Sequence, residues 1–484
     1  MRSTDEVGTT IRLWSLSEDA MVEDDGENGS VNVVTRWGEL NVEHASAFAI
    51  ESLRRMELGP VSLQNVVAAR KASPVRRLHD LAGLERVLDQ VSGSVVHSLG
   101  LPDGRRPLLS AVPVVAAPEF HPTAVPASLA IRLSRFAVLR PQGGDLVLEA
   151  PRADFRVVLS QPQAVRIASA LAAPATIAGL AGDTGIPEAV VADAVAFLVA
   201  AGVVLAGDEK DEFAEDTDLD LRHWSPHELH FHTHSRTRQS ADGDAGDSVY
   251  RQATETQPPL TRTPPDGERF PLHRPAPEAL AATDPPLTEL LETDHECPRF
   301  SGTALTAEEL GELLYRSARV RGVGPAHPPM PAGHDASQRP YFSIACLYEL
   351  ELYLSIGHCT GLPTGLYHYD PAAHALTQIS RDAADVGTVL DLGKVAAGSL
   401  RRPAVMITMT ARMERTSWVL GGAAYATTLL HAGALQQTLY LCAKAMGLSA
   451  HAVPVDASDT VDRLFGLDWP AEIGVGECVL DSGR

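Results

Sequence analysis

Residues 412–448 read RMERTSWVLGGAAYATTLLHAGALQQTLYLCAKAMGL, and this stretch decides the fold of the chain. Its apolar residues recur three or four positions apart, which predicts one long helix from Arg412 to Leu448. Gly447 stands where a left-handed cap would end that helix. The apolar stripe is broad and rich in glycine and alanine, so the helix should pack closely on more than one side. Such packing is expected of a central helix in a large core.

Apolar segments of strand length flank this helix on both sides. Residues 403–410 precede it and residues 449–455 follow it, and both are typical of buried strands. A helix is predicted to begin at Thr306, because Glu309 stands at the capping-box position. Residues 285–484 are therefore expected to form an α+β domain, with further strands at 350–356, 365–369 and 375–380.

Length, charge and cysteine content limit the class of protein. A chain of 484 residues is sufficient for two or three domains, each with its own hydrophobic core. The net charge of −22 argues against nucleic acids and anionic membranes as general partners, because polyanions would be repelled. No apolar run reaches the length of a membrane-spanning helix, and the first residues lack the apolar region of a signal peptide. Five cysteines without a C-x-x-C pair favour a cytoplasmic protein with reduced thiols.

The N-terminal half contains the same order of predicted strands and helices in two successive segments. In residues 1–100 and again in residues 130–206, predicted strands come first and predicted helices follow, with a proline-rich connector at 99–126. Helices combined with a small β-wing are typical of winged-helix units, so two such units are predicted. The last helix of the second unit, 187–201, contains neither lysine nor arginine, which argues against DNA recognition. The simpler alternative is a pair of packing modules that only support the C-terminal domain.

A linker and junction are predicted at residues 207–284, and the part from 239 onward reads as loop wrapping the next domain. His230, His232 and His234 alternate, so on a strand they would share one face and could hold a zinc ion. No carboxylate or thiol completes a regular ligand spacing, however. The pattern therefore favours a strand-edge junction and no metal site.

Five stretches resemble one known family: residues 285–321, 339–353 (RPYFSIACLYELELY), 365–371 (GLYHYDP), 412–448 and 475–480. They are similar to segments of the SagB-type dehydrogenases, which have the nitroreductase fold and oxidise azolines in ribosomal peptide natural products. The resemblance implies a dimeric, FMN-dependent oxidoreductase domain at 285–484. It also implies that the two preceding units are similar to the PqqD-like modules that hold leader peptides. The implied partners are a precursor peptide, a cyclodehydratase and a paralogous dehydrogenase.

The phosphate-binding motif of this family has changed here. Active members grip the FMN phosphate with Arg-Arg-Ser-x-Arg, and the matching positions 294–298 read DHECP. Asp294 and Glu296 would repel a phosphate, by about 1 kcal/mol per close charge pair in water and more when desolvated. Arg299 lies one place past the last motif arginine and is expected to compensate only in part.

The loop that approaches the flavin has changed as well. In active members it reads Pro-Ser-Gly-Gly-Ala-Leu-Tyr, and here residues 342–348 read FSIACLY. Ser343 and Tyr348 are retained, and with Arg299 they are the candidate FMN contacts that the resemblance implies. Ile344 places a branched side chain where the family has glycine and the backbone must pass close to the ring.

The proton-handling positions are lost. The family motif is Trp-Lys-Tyr, and here Trp418 is followed by Val419 and Leu420, neither of which can donate or accept a proton. The glycine-rich loop after the central helix is matched by residues 453–456, where Pro454 removes a backbone donor. No catalytic residue is assigned with these changes. A satisfied buried histidine is the commoner interpretation of the two remaining candidates, His431 and His451.

The sequence thus predicts a SagB-type protein of azole-containing ribosomal peptide biosynthesis with a degenerate catalytic site. Such a subunit would pair with an active dehydrogenase or bind the peptide. The first alternative is an active FMN-dependent dehydrogenase that converts azolines to azoles with a remodelled site. The second alternative is a leader-peptide-binding scaffold whose C-terminal domain serves only for dimerisation.

Overall fold

The computed structural model describes most of the chain, namely residues 10–24, 30–43, 45–68, 73–102, 104–236, 256–293, 300, 303–325, 335–454 and 459–482. The chain divides into two compact units, residues 1–234 and residues 235–484. Each unit is described by itself. Among the described residues, no helix has both the length and the apolar character needed to cross a membrane.

The first unit contains strands and helices in two successive sets. Its strands are β1 (Ile11–Leu16), β2 (Met21–Asp24), β3 (Val31–Thr35), β4 (Gly38–Val42), β5 (Val95–Gly100), β6 (Leu109–Pro113), β7 (Ile131–Leu133), β8 (Val138–Gln142), β9 (Asp145–Glu149), β10 (Phe155–Leu159) and β11 (Val204–Ala206). Its helices are α1 (Ala47–Leu58), α2 (Leu63–Ala68), α3 (Pro74–Gln90), α4 (Pro162–Ala170), α5 (Ile177–Thr184), α6 (Glu188–Ala200), α7 (Ala214–Thr217) and α8 (Pro226–Arg236).

One six-stranded sheet joins the two sets, in the order β1-β5-β6-β10-β9-β8. The prediction of an irregular connector at 99–126 is therefore wrong in its middle part, because β6 lies inside it. Leu109 and Ala111 of β6 are buried and pair with Leu159 and Val157 of β10. The strand ends at Pro113, which has no N–H to continue a ladder. The strands and helices of both expected units are present, and their arrangement as two winged-helix units stays a prediction.

An aromatic cluster packs around His97 of β5. The His97 ring stacks on Phe120 with ring centroids 4.3 Å apart, and Phe120 in turn meets Phe155 and Phe197 edge-on at 5.0 and 5.1 Å. Trp14 approaches the same imidazole edge-on at 6.4 Å. Burial disfavours the charged imidazolium, and the neighbouring His121 adds to this, so the pKa of His97 falls to about 4. His97 is therefore neutral near pH 7.

The junction segment is a helix and not a strand edge, so that prediction is wrong. In α8 the side chains of His230 and His234 lie on one face, since helical neighbours are four residues apart. His230 Nε2 lies 2.6 Å from the carbonyl oxygen of Phe136, and His234 Nε2 lies 3.8 Å from Glu149. Hydrogen bonds from His234 and Arg140 outweigh the opposing effect of burial and lower the pKa of Glu149 to about 2. Within the described ranges, no group of three or more potential metal ligands converges.

The second unit is an α+β domain. Its strands are β12 (Arg269–Pro271), β13 (Leu305–Thr306), β14 (Gly322–Pro325), β15 (Asp335–Gln338), β16 (Leu350–Ile356), β17 (Cys359–Thr360), β18 (Gly365–Asp370), β19 (Ala375–Ser380), β20 (Val405–Arg412), β21 (Ser449–Val453) and β22 (Glu472–Asp481). Its helices are α9 (Pro277–Thr283), α10 (Leu287–Glu292), α11 (Ala307–Ser317), α12 (Ala383–Ala396), α13 (Met413–Leu420), α14 (Ala424–Ala445) and α15 (Asp459–Phe465).

A seven-stranded sheet forms the core of this unit, in the order β12-β19-β18-β16-β20-β22-β21. The central strands β16 and β20 are buried along their whole length and pair antiparallel, with Leu354 opposite Ile407. Helix α14 packs on β21 and β22 and also against α11 and α13. Its buried residues include Ala432, Leu435 and Leu439, as the apolar period predicts.

The single helix predicted from Arg412 to Leu448 is interrupted, so that prediction is wrong in its first third. Arg412 is the last residue of β20, and α13 ends at Leu420. Gly421 has φ +51° and ψ −126°, a conformation that side-chain-bearing L-residues rarely adopt. A 3-10 turn then leads into α14. The conformation of Gly421 breaks the helix, although the apolar residues keep their spacing on both sides of it.

Part of the predicted 239–286 loop is a strap that three buried arginines hold in place. We use the name strap for residues 257–262. Arg415 donates to the carbonyl oxygens of Pro258 and Pro259 at 2.7 and 3.0 Å, and Arg412 donates to those of Pro259 and Leu260 at 2.9 and 3.3 Å. Arg339 Nη2 also reaches the Leu260 carbonyl, at 3.4 Å. Burial, with repulsion from the other two arginines, lowers the pKa of Arg415 to about 10.

Candidate functional site

The loop at residues 343–348 lies where the resemblance places the approach to a flavin ring. Ala345 and Cys346 have φ +54° and +52°, and Tyr348 has φ +45°, so the loop is left-handed at three residues that are not glycine. Ser343 Oγ accepts the Tyr348 N–H at 3.1 Å, and the Tyr348 hydroxyl donates to the Tyr341 carbonyl at 3.2 Å. Both retained side chains are buried and stabilise the loop itself.

A buried histidine holds this loop from the side of the central helix. His431 of α14 accepts the N–H of Ile344 at its Nε2 atom, at 2.7 Å. Its Nδ1–H donates to the Glu349 carboxylate, whose two oxygens lie 2.9 and 3.1 Å away. Both side chains are completely buried. Both ring nitrogens are thus hydrogen-bonded, and His431 connects the loop to the Glu349 carboxylate.

Two of the changed family motifs meet in one apolar cluster. Leu347 of the loop and Trp418 of α13 form its buried centre. Ala345, Val419 and Leu420 pack against them. The two positions that hold Lys and Tyr in active members therefore lie beside the loop that holds Gly-Gly in active members. Within this cluster, no side chain can transfer a proton at neutral pH, because the indole N–H of Trp418 can only donate a hydrogen bond.

A second buried network lies at the same end of β16, two residues beyond Glu349. Glu351 lies 3.0 Å from Arg412 Nε and 3.2 Å from His368 Nε2. Burial opposes ionisation of Glu351, but the His368 hydrogen bond and the charges of Arg412 and Arg339 outweigh it and lower its pKa. The N–H of Arg262, the last strap residue, donates to the same carboxylate at 3.3 Å. This network fixes the strap to the sheet, and each of these groups already has a partner.

The remaining predicted site residues are dispersed or lie outside the described residues. Arg299 and the DHECP segment at 294–298 belong to the part of the chain that is not described, so their role stays a prediction. Pro454 follows directly after β21, at the edge of the seven-stranded sheet. His451 lies on β21 and its Nε2 contacts Ser449 Oγ at 3.0 Å. The structure thus brings Ser343, Tyr348 and the Val-Leu pair together, but not His451.

FMN is the usual cofactor of the nitroreductase family, and the described residues do not fit its ring. The N–H of Ile344 points to His431, so it is not available to a ligand. The polar atoms of Ser343 and Tyr348 are bonded within the loop. The proton-handling positions are apolar and pack together. No reaction step through a flavin follows from these side chains.

The pair of Glu349 and His431 was missed by sequence reasoning. A glutamate directly before a buried strand and a histidine inside the apolar stripe of a helix were the available signals, because buried ionisable groups need partners. The two residues are 82 positions apart, however, and only the fold brings them together. The pair explains how the loop keeps its shape without glycine.

Replacing Ala345 with glycine should stabilise the protein. An alanine at φ +54° is strained by about 1 kcal/mol, and glycine removes that strain. We expect the free energy of unfolding to rise by about 0.5–1 kcal/mol in denaturant titrations. The matched control is Ala281→Gly in the exposed part of α9, which should lower stability by a similar amount. A destabilised Ala345→Gly variant would contradict the left-handed geometry of the loop.

Two family models match separate parts of the chain. Residues 131–241 match the family model described as cyanobactin oxidase ThcOx, and residues 356–479 match the nitroreductase family model. A protein of Methanocaldococcus jannaschii described as a putative nitroreductase is 27% identical over 167 residues, which cover 34% of this chain and 77% of that protein.

Three solved structures are similar to parts of this chain. The nitroreductase-type protein of Anabaena variabilis has a TM-score of 0.36 and 19% identity over 50% of this chain, and the matched region spans only 46% of that protein. The one from Ralstonia eutropha has a TM-score of 0.35 and 18% identity, over 48% of this chain and 98% of that protein. The third structure is the E. coli microcin synthetase McbBCD complex with truncated pro-MccB17 bound. It has a TM-score of 0.32 and 18% identity, over 40% of this chain and 71% of the matched chain.

The expected α+β class and the C-terminal nitroreductase-like domain are confirmed by the family match together with the seven-stranded sheet around α14. The match to the cyanobactin oxidase model precedes the nitroreductase match, and residues 131–234 of it belong to the first unit. A match to the nitroreductase family model therefore stands behind a match to the cyanobactin oxidase ThcOx model, and both matches agree with the recognised resemblance to nitroreductase-fold proteins of the SagB type.

Proposed function

We propose that this protein is a catalytically degenerate subunit in the biosynthesis of azole-containing ribosomal peptides. The observation that carries the proposal is the apolar cluster in which Val419 and Leu420 pack beside Ala345 and Leu347. Azoline oxidation requires a proton to leave the ring carbon while a hydride leaves with its electrons to an acceptor. A cluster of aliphatic side chains supplies no base for that proton.

The role that remains for this protein is to bind other proteins of the pathway. The cyanobactin oxidase match links the first unit to oxidases of modified ribosomal peptides, and the kept nitroreductase scaffold provides a surface that an active dehydrogenase of the same fold could recognise. We propose that the chain pairs with such a dehydrogenase and with the cyclodehydratase that makes the azolines. The precursor peptide is the shared substrate of this assembly.

A reconstitution experiment tests the proposal. The protein alone should not oxidise an azoline-containing peptide, with or without added FMN. Mixed with an FMN-loaded azoline dehydrogenase, it should co-elute in size-exclusion chromatography, and the flavin should remain on the partner. Azole formation by this protein alone, followed by mass spectrometry as a loss of two mass units per ring, would overturn the degenerate assignment and establish the active-dehydrogenase alternative.

Association should use the solvent-facing side of α14. Leu429 and Leu430 are 39% and 66% exposed there, next to Tyr425 and Gly433. Burying one leucine contributes about 1.5–3 kcal/mol, so Leu430→Glu should weaken association at least tenfold. Light scattering at micromolar concentration, with and without a paralogous dehydrogenase, measures the effect. The control is Leu400→Glu, because Leu400 is 95% exposed outside α14. A monomer under both conditions would contradict the prediction.

A further inference from the structure

A cavity in the first unit lies between α7 and the segment that joins β9 to β10. Its volume is about 390 Å³. Cavities that bind small molecules usually measure about 300–1,000 Å³, so this one is large enough for a small organic ligand. Its lining residues lie between positions 134 and 218, and all of them therefore belong to the first unit. The apolar cluster that carries the proposed function belongs to the second unit and has no part in this cavity.

The walls of the cavity are largely apolar. The apolar side chains come from three segments of the unit and are Phe136, Ala150, Pro151 and Leu205. Phe136 is buried and forms a small core cluster with Leu221 and Leu229, so this wall is held in place by the packing behind it. Arg152 and Ala214 also line the cavity and are exposed, which locates its mouth beside these two residues.

One carboxylate in the wall is buried without a counter-ion. Glu215 of α7 is only 8% exposed. Its Oε1 atom accepts the Ser134 hydroxyl at 2.8 Å, and its Oε2 atom accepts the backbone N–H of Arg135 at 3.2 Å. Both donors are neutral, and each carboxylate oxygen can accept a further hydrogen bond. Because buried charges are normally paired with an opposite charge, this carboxylate is suited to a cation that enters the cavity.

The neighbouring arginines are engaged with other groups. Arg132 forms an ion pair with Asp216 at 2.6 Å. The guanidinium of Arg135 donates to a backbone carbonyl at 2.7 Å. Arg152 lies 3.6 Å from Asp218, and its side chain is 66% exposed. Among the described residues, none of these three guanidinium groups forms an ion pair with the buried carboxylate, so its charge is open to a ligand.

We propose that this cavity binds a small organic cation, namely an alkylammonium or alkylguanidinium ion. The charged nitrogen would donate to Glu215, and the aliphatic stem would lie along Phe136 and Leu205. Residues 208–220 contain eight acidic residues and one lysine, and this charge attracts cations to the region. A metal ion is a poorer match, because no group of three potential ligands converges among the described residues.

Calorimetric titration of the full-length protein tests this proposal with agmatine as the probe. Pentylamine, pentanol and pentanoate are the matched ligands, since they share one stem and differ in charge. We expect agmatine and pentylamine to bind with dissociation constants of about 1 mM or lower, because one charge-assisted bond and one buried stem are available. Pentanol and pentanoate should bind at least about tenfold more weakly. Displacement of agmatine by an equal concentration of calcium chloride would identify a metal site and overturn the proposal.

Two substitutions of charged residues should change the affinity in opposite directions. Glu215→Gln should weaken agmatine binding about tenfold or more, because the neutral amide removes the counter-charge. Arg152→Gln should strengthen it roughly threefold, because a positive charge leaves the mouth and Asp218 loses its partner. Circular dichroism melting curves identify variants that fail to fold. A gain in affinity in Arg152→Gln cannot come from unfolding, so that variant decides the question if Glu215→Gln is unstable.

Blocking the mouth gives a test that leaves every charge in place. Ala214→Trp should weaken agmatine binding about fivefold or more, because the indole covers the entrance. The control is Thr217→Trp, an exposed position of the same helix that does not line the cavity, and it should bind agmatine as the wild type does. Equal affinity for pentanol and pentylamine, or unchanged agmatine binding in folded Glu215→Gln or Ala214→Trp, would overturn the proposal. None of these outcomes depends on whether the protein oxidises azolines.

Discussion

Purified protein should be colourless, and titration with FMN should give a dissociation constant above about 100 μM. Losing one charge-assisted bond between arginine and phosphate costs about 1.5–3 kcal/mol. Micromolar binding corresponds to about 8 kcal/mol, so the loss of two such bonds at positions 294 and 295 removes much of the affinity. The repulsion from Asp294 and Glu296 acts in the same direction. At the ring, the Ile344 N–H is already bonded to His431.

Restoring the family residues is the complementary measurement. The quadruple variant Asp294→Arg, His295→Arg, Val419→Lys and Leu420→Tyr should recover part of the flavin absorbance near 450 nm, by roughly tenfold or more in affinity because two charge-assisted bonds return. The control variant carries Val395→Lys and Leu400→Tyr, which place the same side chains at exposed positions of the second unit. Stoichiometric yellow flavin in the wild-type protein would contradict the prediction and favour the active dehydrogenase.

Lowering the pH should destabilise the first unit through His97. The folded-state pKa is about 4 and the unfolded-state pKa is about 6.5, so the unfolded chain binds the proton more tightly between these values. The stabilisation is complete above pH 6.5 and is lost as the pH falls toward 4. The difference corresponds to about 3.4 kcal/mol for a fully desolvated ring, and to about 2 kcal/mol for one that keeps some contact with water.

The variant His97→Phe separates this effect from the titration of carboxylates. Phenylalanine keeps the stacking on Phe120 and cannot be protonated, so the stability difference between pH 7 and pH 4 should shrink by about 2 kcal/mol. Urea unfolding followed by tryptophan emission reports on this region, because Trp14 lies 6.4 Å from the imidazole. His79→Phe on exposed α3 is the surface control. Identical pH dependence in wild type and His97→Phe would disprove the buried neutral state.

The local sequence pattern was sufficient to predict many of the helices and strands. Thr306 and Glu309 form the predicted capping box, and the strand at 350–356 has the predicted bounds. The predictions failed where one pattern fits two structures. Histidines at 230, 232 and 234 alternate as on a strand, but 230 and 234 also share a helix face, and the chain there is helical. The apolar period from 412 onward could not show that Gly421 breaks the backbone.

The sequence predicted which catalytic side chains are missing from the candidate site. It did not predict how the residues of the site pack together. That Val419 and Leu420 replace a proton-handling pair is visible from residue type alone. That they pack on Ala345 and Leu347 depends on a contact between segments about 75 residues apart. The bonds from Arg415 to Pro258 and from His431 to Glu349 likewise join distant segments. Periodicity and propensity describe neighbours along the chain and carry no information on such pairs.

The strap determines where a fragment of the second unit must begin if it is to fold on its own. A fragment that starts at residue 285 would lack the carbonyl oxygens of Pro258, Pro259 and Leu260. Three buried guanidinium groups would then lose these carbonyl acceptors, and each hydrogen bond lost from a charged group costs about 1.5–3 kcal/mol. Proteolysis between residues 263 and 285 should be harmful for the same reason, whereas a gene fragment that begins upstream of Gln257 should express as a folded protein. The segment that this domain needs in order to fold therefore begins earlier in the chain than its sequence motifs suggest.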